Sequence, residues 1–139
     1  MAEYAYRLAA EADLPVILSI EESVYPVPWT FNFFRIIFHM NTDKFYVALD
    51  GDAVIGYTVG EIEKMGKVNA PRLAGHILNI AVSEEYQGKG VGTMLLDVVE
   101  KRFIECGADI AYLEVRESNV NAQRVYRNRG YQYVRPAAR

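Results

Sequence analysis

Between an apolar run ending at Val82 and a helix-periodic run opening at Gly90, the chain carries Gln87-Gly88-Lys89-Gly90-Val91-Gly92. Glycine reaches positive φ without steric penalty and leaves the backbone N–H groups uncovered. A helix N-terminus directly behind adds unpaired amides and about half a positive charge. A strand, a glycine turn and a helix in that order form either a plain tight turn or an anion site made of backbone. A dinucleotide fingerprint would need glycine at position 93, where the chain has Thr93. A P-loop would need Ser or Thr after Gly88-Lys89, where Gly90 stands. The pattern left is Gln-x-x-Gly-x-Gly, carried by Gln87, Gly90 and Gly92.

The rest of the chain places this turn inside one domain, residues 1–139. The 139 residues are 51% hydrophobic and 24% charged, the balance of a globular chain. Alternation predicts a first strand at Tyr4–Leu8, and apolar spacing predicts a helix over Glu11–Val24 with Pro15 in its first turn. The prolines of Tyr25-Pro26-Val27-Pro28-Trp29 end that helix, and Thr30 caps a second one running to Met40. Strands at Phe45–Leu49 and Ala53–Ile62 flank Asp50-Gly51-Asp52. Lys64–Arg72 reads as a loop before a fourth strand, Leu73–Val82. The helix Gly90–Cys106 shows apolar residues every four positions, at Val91, Leu95, Val99 and Phe103. A fifth strand follows at Asp109–Arg116, then a helix Asn119–Asn128 capped by Ser118 and ended by Gly130, and a short strand Tyr131–Val134. This order gives an α/β chain with a mixed sheet and helices on its faces.

Composition excludes several roles. A net charge of −3 argues against a nucleic-acid-coating surface, and no apolar run reaches a membrane span. The single Cys106 forms no intrachain disulfide, as expected of a cytoplasmic protein, and reads as a packed residue, not a nucleophile. No paired Cys or His stand at ligand spacing, so no metal is expected.

The glycine loop, His76-Ile77-Leu78-Asn79-Ile80-Ala81-Val82 before it, and Leu113-Glu114-Val115-Arg116-Glu117-Ser118-Asn119 with Ala122, Tyr126 and Gly130-Tyr131 after it form one pattern. It resembles the GNAT superfamily of acetyl-CoA-dependent N-acetyltransferases, in particular the protein N-terminal acetyltransferases of RimI and archaeal Ard1 type. The resemblance implies a GNAT fold: a mostly antiparallel mixed sheet, a splayed fourth and fifth strand, and about four flanking helices. It implies acetyl-CoA as cosubstrate, protein or peptide N-termini as acceptors, and no metal; a ribosome-associated setting stays open. Ile80, Ala81 and Val82 would pair with the pantetheine arm, and Gln87, Gly88, Lys89, Gly90, Val91, Gly92 and Thr93 would cradle the pyrophosphate. Asn119 either contacts the cofactor or caps its helix.

Chemistry narrows the reacting groups. Only a neutral amine attacks a thioester. An α-amine is roughly a tenth neutral at pH 7, a lysine far less, which favours N-terminal acceptors. The resemblance places the base at Glu114, which would need burial or a water path to be effective. His76 is the second candidate base, with a more suitable unperturbed pKa; the alternative is a structural hydrogen-bonder. His39 has no motif around it. Tyr126 would be the general acid for the departing thiol and would also contact the cofactor. Tyr25, Pro28 and Trp29 would form one acceptor wall, with Pro26 and Phe31 beside them. Relatives continue past the Gly-aromatic pair as a β-hairpin. Here nine residues follow Gly130, so a shortened hairpin is expected, with monomer or homodimer both open. Transfer to a small amine or a lysine, and a non-catalytic acyl-CoA-binding module, are the alternatives.

Overall fold

Asp50, Gly51 and Asp52 turn the chain between two strands, and from that hairpin the sheet grows in both directions. The structure, a computed structural model, describes residues 3–67, 69–115 and 120–132. Its elements are β1 (Ala5–Leu8), α1 (Leu14–Val24), α2 (Phe31–Met40), β2 (Phe45–Asp50), β3 (Ala53–Lys67), β4 (Ala70–Val82), α3 (Val91–Glu105), β5 (Ile110–Leu113) and α4 (Val120–Asn128). The sheet runs in sequence order from β1 to β5. Every neighbouring pair is antiparallel except β4 and β5, which are parallel.

Strand alternation sorts the core into two layers. Phe45 and Val47 face α1 and α2, packing with Leu14, Ile17, Phe34, Tyr57 and Val59. Tyr46 and Ala48, one residue out of phase, face α3 and meet Val91 and Leu95. Further along α3, Phe103 lies across Gly60 and Gly75. A Cβ built at Gly75 would sit 2.1 Å from the Phe103 ring, so this helix reaches the sheet only because both strands lack a side chain there. Arg129 and Tyr131 tie the end of α4 to α3 through Glu100, at 2.8 Å and 2.6 Å.

Local rules hold at several ends. Thr30 Oγ1 accepts from Phe33 N–H at 3.2 Å, capping α2 as expected. Gly130 stops α4 at φ +103°. Four expectations are corrected. Lys64–Arg72 is not a loop: β3 and β4 remain paired from Lys64↔Leu73 to Lys67↔Ala70, forming a long two-stranded arm. The first turn of the Glu11–Val24 helix is a 3-10 turn at Glu11–Asp13, where Arg7 grips Asp13 and Asp13 accepts from Ala10 N–H. β5 ends at Leu113. Tyr131 and Gln132 are not strand; the remainder of that expected strand, the C-terminal hairpin, Ser118 and Asn119 lie outside the described residues.

Two irregularities position the site. β5 pairs with β4 only from Ala74↔Ile110 to Ile77↔Leu113, so β4 continues alone from Leu78 to Val82. This is the expected splay. Opposite it, Val59 pairs with Asn79 while Gly60 pairs with Ile77, leaving Leu78 as the extra residue of a β-bulge. Leu78 and Asn79 therefore both face α1, and His76 and Asn79 share a face despite their odd spacing. Among the described residues, no helix is long and apolar enough to cross a membrane.

Candidate active site

The glycine loop closes the far end of β4. Gly88 and Gly90 adopt φ of +78° and +87°, and a Cβ on either would meet only open space. Positive φ, not crowding, is what selects glycine there. The first helical bond of α3 is Met94 N–H to Gly90 C=O, so the amides of Val91, Gly92 and Thr93 have no partner within the helix. The Gln87 amide donates to Val82 C=O at 2.9 Å, joining the loop to the strand. The Lys89 ammonium lies 5.5 Å above the Tyr86 ring. Backbone amides thus carry the anion-binding potential of this loop.

Where β4 runs on past the end of β5, Ser83 N–H bonds Ile55 C=O, which by alternation turns Ala81 toward β3 and Ile80 and Val82 toward the splay. Of the three expected backbone partners, Ala81 is therefore spent within the sheet. Ile80 is already engaged by side chains. Tyr25 donates its hydroxyl to Ile80 C=O at 2.5 Å, and Asn79 Oδ1 accepts from Ile80 N–H at 3.1 Å.

A cleft of about 500 Å³ opens beside this strand, between the α1–α2 turn, β4, the end of β5 and α4. Tyr25 and Trp29 line it, as do Glu114 and Tyr126. Pro28 does not; Pro26 and Val27 take its place. Burial, and secondarily the charge of Tyr25, push the Tyr126 hydroxyl above its ordinary range. Burial and Glu21 push Tyr25 up to about 12. Both phenols thus stay protonated at neutral pH.

Two carboxylates at this cleft behave differently. Glu21, 2% exposed, accepts from Trp29 N–H and Asn79 Nδ2, both at 2.9 Å, and from the Tyr57 hydroxyl. It joins the acceptor-side turn to the bulge in β4. Sequence analysis missed it as a site residue, although its spacing of i+7 from Leu14 and i+4 from Ile17 put a charge on the apolar stripe. Glu114 is the opposite: its side chain is 72% exposed, so the burial expected to act on it is absent. Its partner is His76, with Nε2 3.2 Å from Glu114 Oε1.

His76 is enclosed. Its Nδ1 lies 2.8 Å from Glu63 Oε2, and its ring stacks on Tyr112 at 4.3 Å between centroids. The Tyr112 hydroxyl bonds the other oxygen of Glu63. That bond, with help from His76, holds Glu63 below its ordinary range, while burial and Glu63 push Glu61 above it. Glu61, Glu63 and Tyr112 were invisible as a group because they come together only through the pairings Glu61↔His76 and His76↔Tyr112.

The cleft therefore holds a carboxylate, Glu114, backed by His76, and a protonated phenol, Tyr126, beside a strand edge and a glycine loop with uncovered backbone amides. The sequence matches the acetyltransferase (GNAT) family over residues 14–131. The chain belongs to that family. It is an acetyl-CoA-dependent N-acetyltransferase. An N-alpha-acetyltransferase from Sulfurisphaera tokodaii is 35% identical, the match covering 96% of this chain and 83% of that one. The [ribosomal protein bS18]-alanine N-acetyltransferase of Escherichia coli is 25% identical over 86% of this chain and 74% of its own. The fold superimposes on the crystal structure of Ard1 from Thermoplasma volcanium with a TM-score of 0.84, at 23% identity over 95% and 84% of the two chains. The GNAT expectation drawn from the glycine loop and the Leu113–Asn119 run is met by the family match and by this fold.

Proposed function

We propose that this acetyltransferase acts, as a single cytoplasmic domain, on the α-amine of protein or peptide N-termini. The observation that carries the reading is one cleft, walled by Tyr25 and Trp29, that holds both Glu114 and Tyr126, with His76 bonded to Glu114 from behind the lining. The similarity to archaeal N-alpha-acetyltransferases and to an enzyme that acetylates a ribosomal-protein alanine supports that acceptor class.

Acetyl-CoA supplies an acetyl thioester, and the residues present fit it. The amides of Val91, Gly92 and Thr93 would hold its pyrophosphate, helped by the left-handed turns at Gly88 and Gly90. Ile80 and Val82 would pair with the pantetheine as an added strand edge, once Tyr25 and Asn79 release Ile80 and Gln87 releases the Val82 carbonyl. On the acceptor side, Glu114 is accessible enough to take the proton an amine loses, with His76 next in line to pass it inward. Tyr126, protonated at neutral pH, would donate a proton to the departing thiolate. The burial that raises the Tyr126 phenol above its ordinary range would raise the departing thiol in the same cleft, which keeps the two close enough for that transfer.

The test is acetyl transfer to short peptides with Ser, Ala, Met-Leu and Met-Glu N-termini, followed by thiol release and product mass, with an N-blocked lysine peptide and a small diamine beside them. Transfer to free α-amines, with the blocked peptide untouched, is expected. Turnover confined to the lysine peptide or the diamine would overturn the acceptor class.

A further inference from the structure

Glu63 is 13 residues from His76 in sequence and lies on the far side of it from the cleft, yet it makes the shorter of the two contacts that hold the ring. Nδ1 is 2.8 Å from Glu63, and Nε2 is 3.2 Å from Glu114. The Glu63 side chain is 29% exposed and that of Glu114 72%. Glu63 is itself fixed, because the Tyr112 hydroxyl takes its second oxygen while the Tyr112 ring lies flat against His76. Ring, carboxylate and phenol therefore form a closed triangle spanning β3, β4 and β5. Among the described residues, Glu114 is the partner of His76 that faces the cleft.

An ionised carboxylate accepts hydrogen bonds only, and of the two on this ring Glu63 is both nearer, at 2.8 Å against 3.2 Å, and less exposed, so the proton of the neutral ring sits on Nδ1. That choice leaves Nε2 as the nitrogen that exchanges a proton with Glu114. We infer that Glu63 is a positioning residue of the acetyl-transfer reaction: it fixes His76 in the Nδ1–H form and aims Nε2 at Glu114. This rests on the proposed role of His76 and Glu114 and adds to it the reason why the histidine has one usable nitrogen. Tyr112 assists by keeping the Glu63 carboxylate from rotating. Glu61, whose Oε2 is 3.8 Å from Nδ1, is the remaining acidic neighbour. It competes poorly for that proton because Glu63 is an ångström nearer.

The experiment compares wild type with Glu63→Gln and Glu63→Ala in the full chain, reading kcat, KM for acetyl-CoA and the two His76 ring-nitrogen NMR shifts. The inference expects Glu63→Ala to lower kcat about tenfold, a part of the 10²–10⁴ that a positioned base supplies. KM for acetyl-CoA stays within about twofold, because the glycine loop is untouched. The ring-nitrogen shifts move toward a mixture of tautomers. Glu63→Gln, which can still accept from Nδ1–H through its amide oxygen, retains more activity than Glu63→Ala. Equal kcat in all three proteins would overturn the inference, as would a fall in kcat with unchanged His76 shifts, which is what loss of a merely structural contact gives. Failure of the underlying reading looks different: the wild type transfers to no α-amine, or His76→Ala turns over like wild type.

Discussion

The two ends of the splay are built from different materials. At the cofactor end, the glycine loop offers backbone amides, and its nearest charged side chain, Lys89, rests over Tyr86. At the acceptor end, everything is side chain: Glu63, His76 and Tyr112 from three strands and Glu114 just past the end of β5, with Tyr126 across the cleft. Backbone recognition is set by local conformation, so a short contiguous motif carries all of it. A side-chain cluster is set by register, so no contiguous motif can. The two ends should accordingly fail in different ways when mutated.

Tyr126→Phe should have the largest effect. It removes the hydroxyl proposed as the acid and leaves the ring's packing against Tyr131, so kcat should fall about a hundredfold with little change in melting temperature. A kcat within threefold of wild type would put the proton donor elsewhere. Gly90→Ala probes the other end. A non-glycine residue at φ +87° is strained by about 1–2 kcal/mol. KM for acetyl-CoA should rise about tenfold while kcat changes little. Lys89→Ala, one residue away, should shift that KM by no more than about twofold, because the amides and not the ammonium meet the anion. If Lys89→Ala proved as harmful as Gly90→Ala, the contrast between a backbone end and a side-chain end would collapse.

The smallest effect concerns Tyr25, which touches both ends. Its pKa is raised to about 12 by burial and Glu21, against about 10 for a free phenol. Between those values the unfolded chain loses the proton and the folded chain keeps it, so stability falls as pH rises from about 10 to about 12. Tyr25→Phe should flatten that alkaline limb without removing it, since Tyr57 and Tyr126 are also raised. Denaturant melts at stepped pH would show this; an unchanged slope would mean that the Tyr25–Ile80 contact does not persist in solution.

How far the sequence could be read follows the same division. Thr30 as a cap, Gly130 as a stop, the Asp50–Asp52 turn and the four-residue period of α3 are consequences of neighbours in sequence, and each was legible. The Lys64–Arg72 segment was misread because Gly66, Asn69 and Pro71 are loop residues by propensity. In the protein, the ladder from Lys64↔Leu73 to Lys67↔Ala70 overrides that propensity. Glu114 and Tyr126 were candidates by resemblance, and His76 by its ordinary pKa. The cleft shared by Glu114 and Tyr126, the exposure of Glu114, and the contacts of Glu21, Glu61, Glu63 and Tyr112 were not legible.

The sequence by itself determined the family, the helices and the glycine loop, because each rests on short-range sterics and hydrogen bonding among residues close along the chain. Only the tertiary structure decided the acceptor end. One extra residue at Leu78 shifts the phase of β4, which brings His76 and Asn79 to one face. The early end of β5 leaves Ile80 and Val82 without a strand on the side away from β3. Both are properties of how strands pair across the sheet, and a period-two pattern reports only which residues alternate, never where that alternation slips.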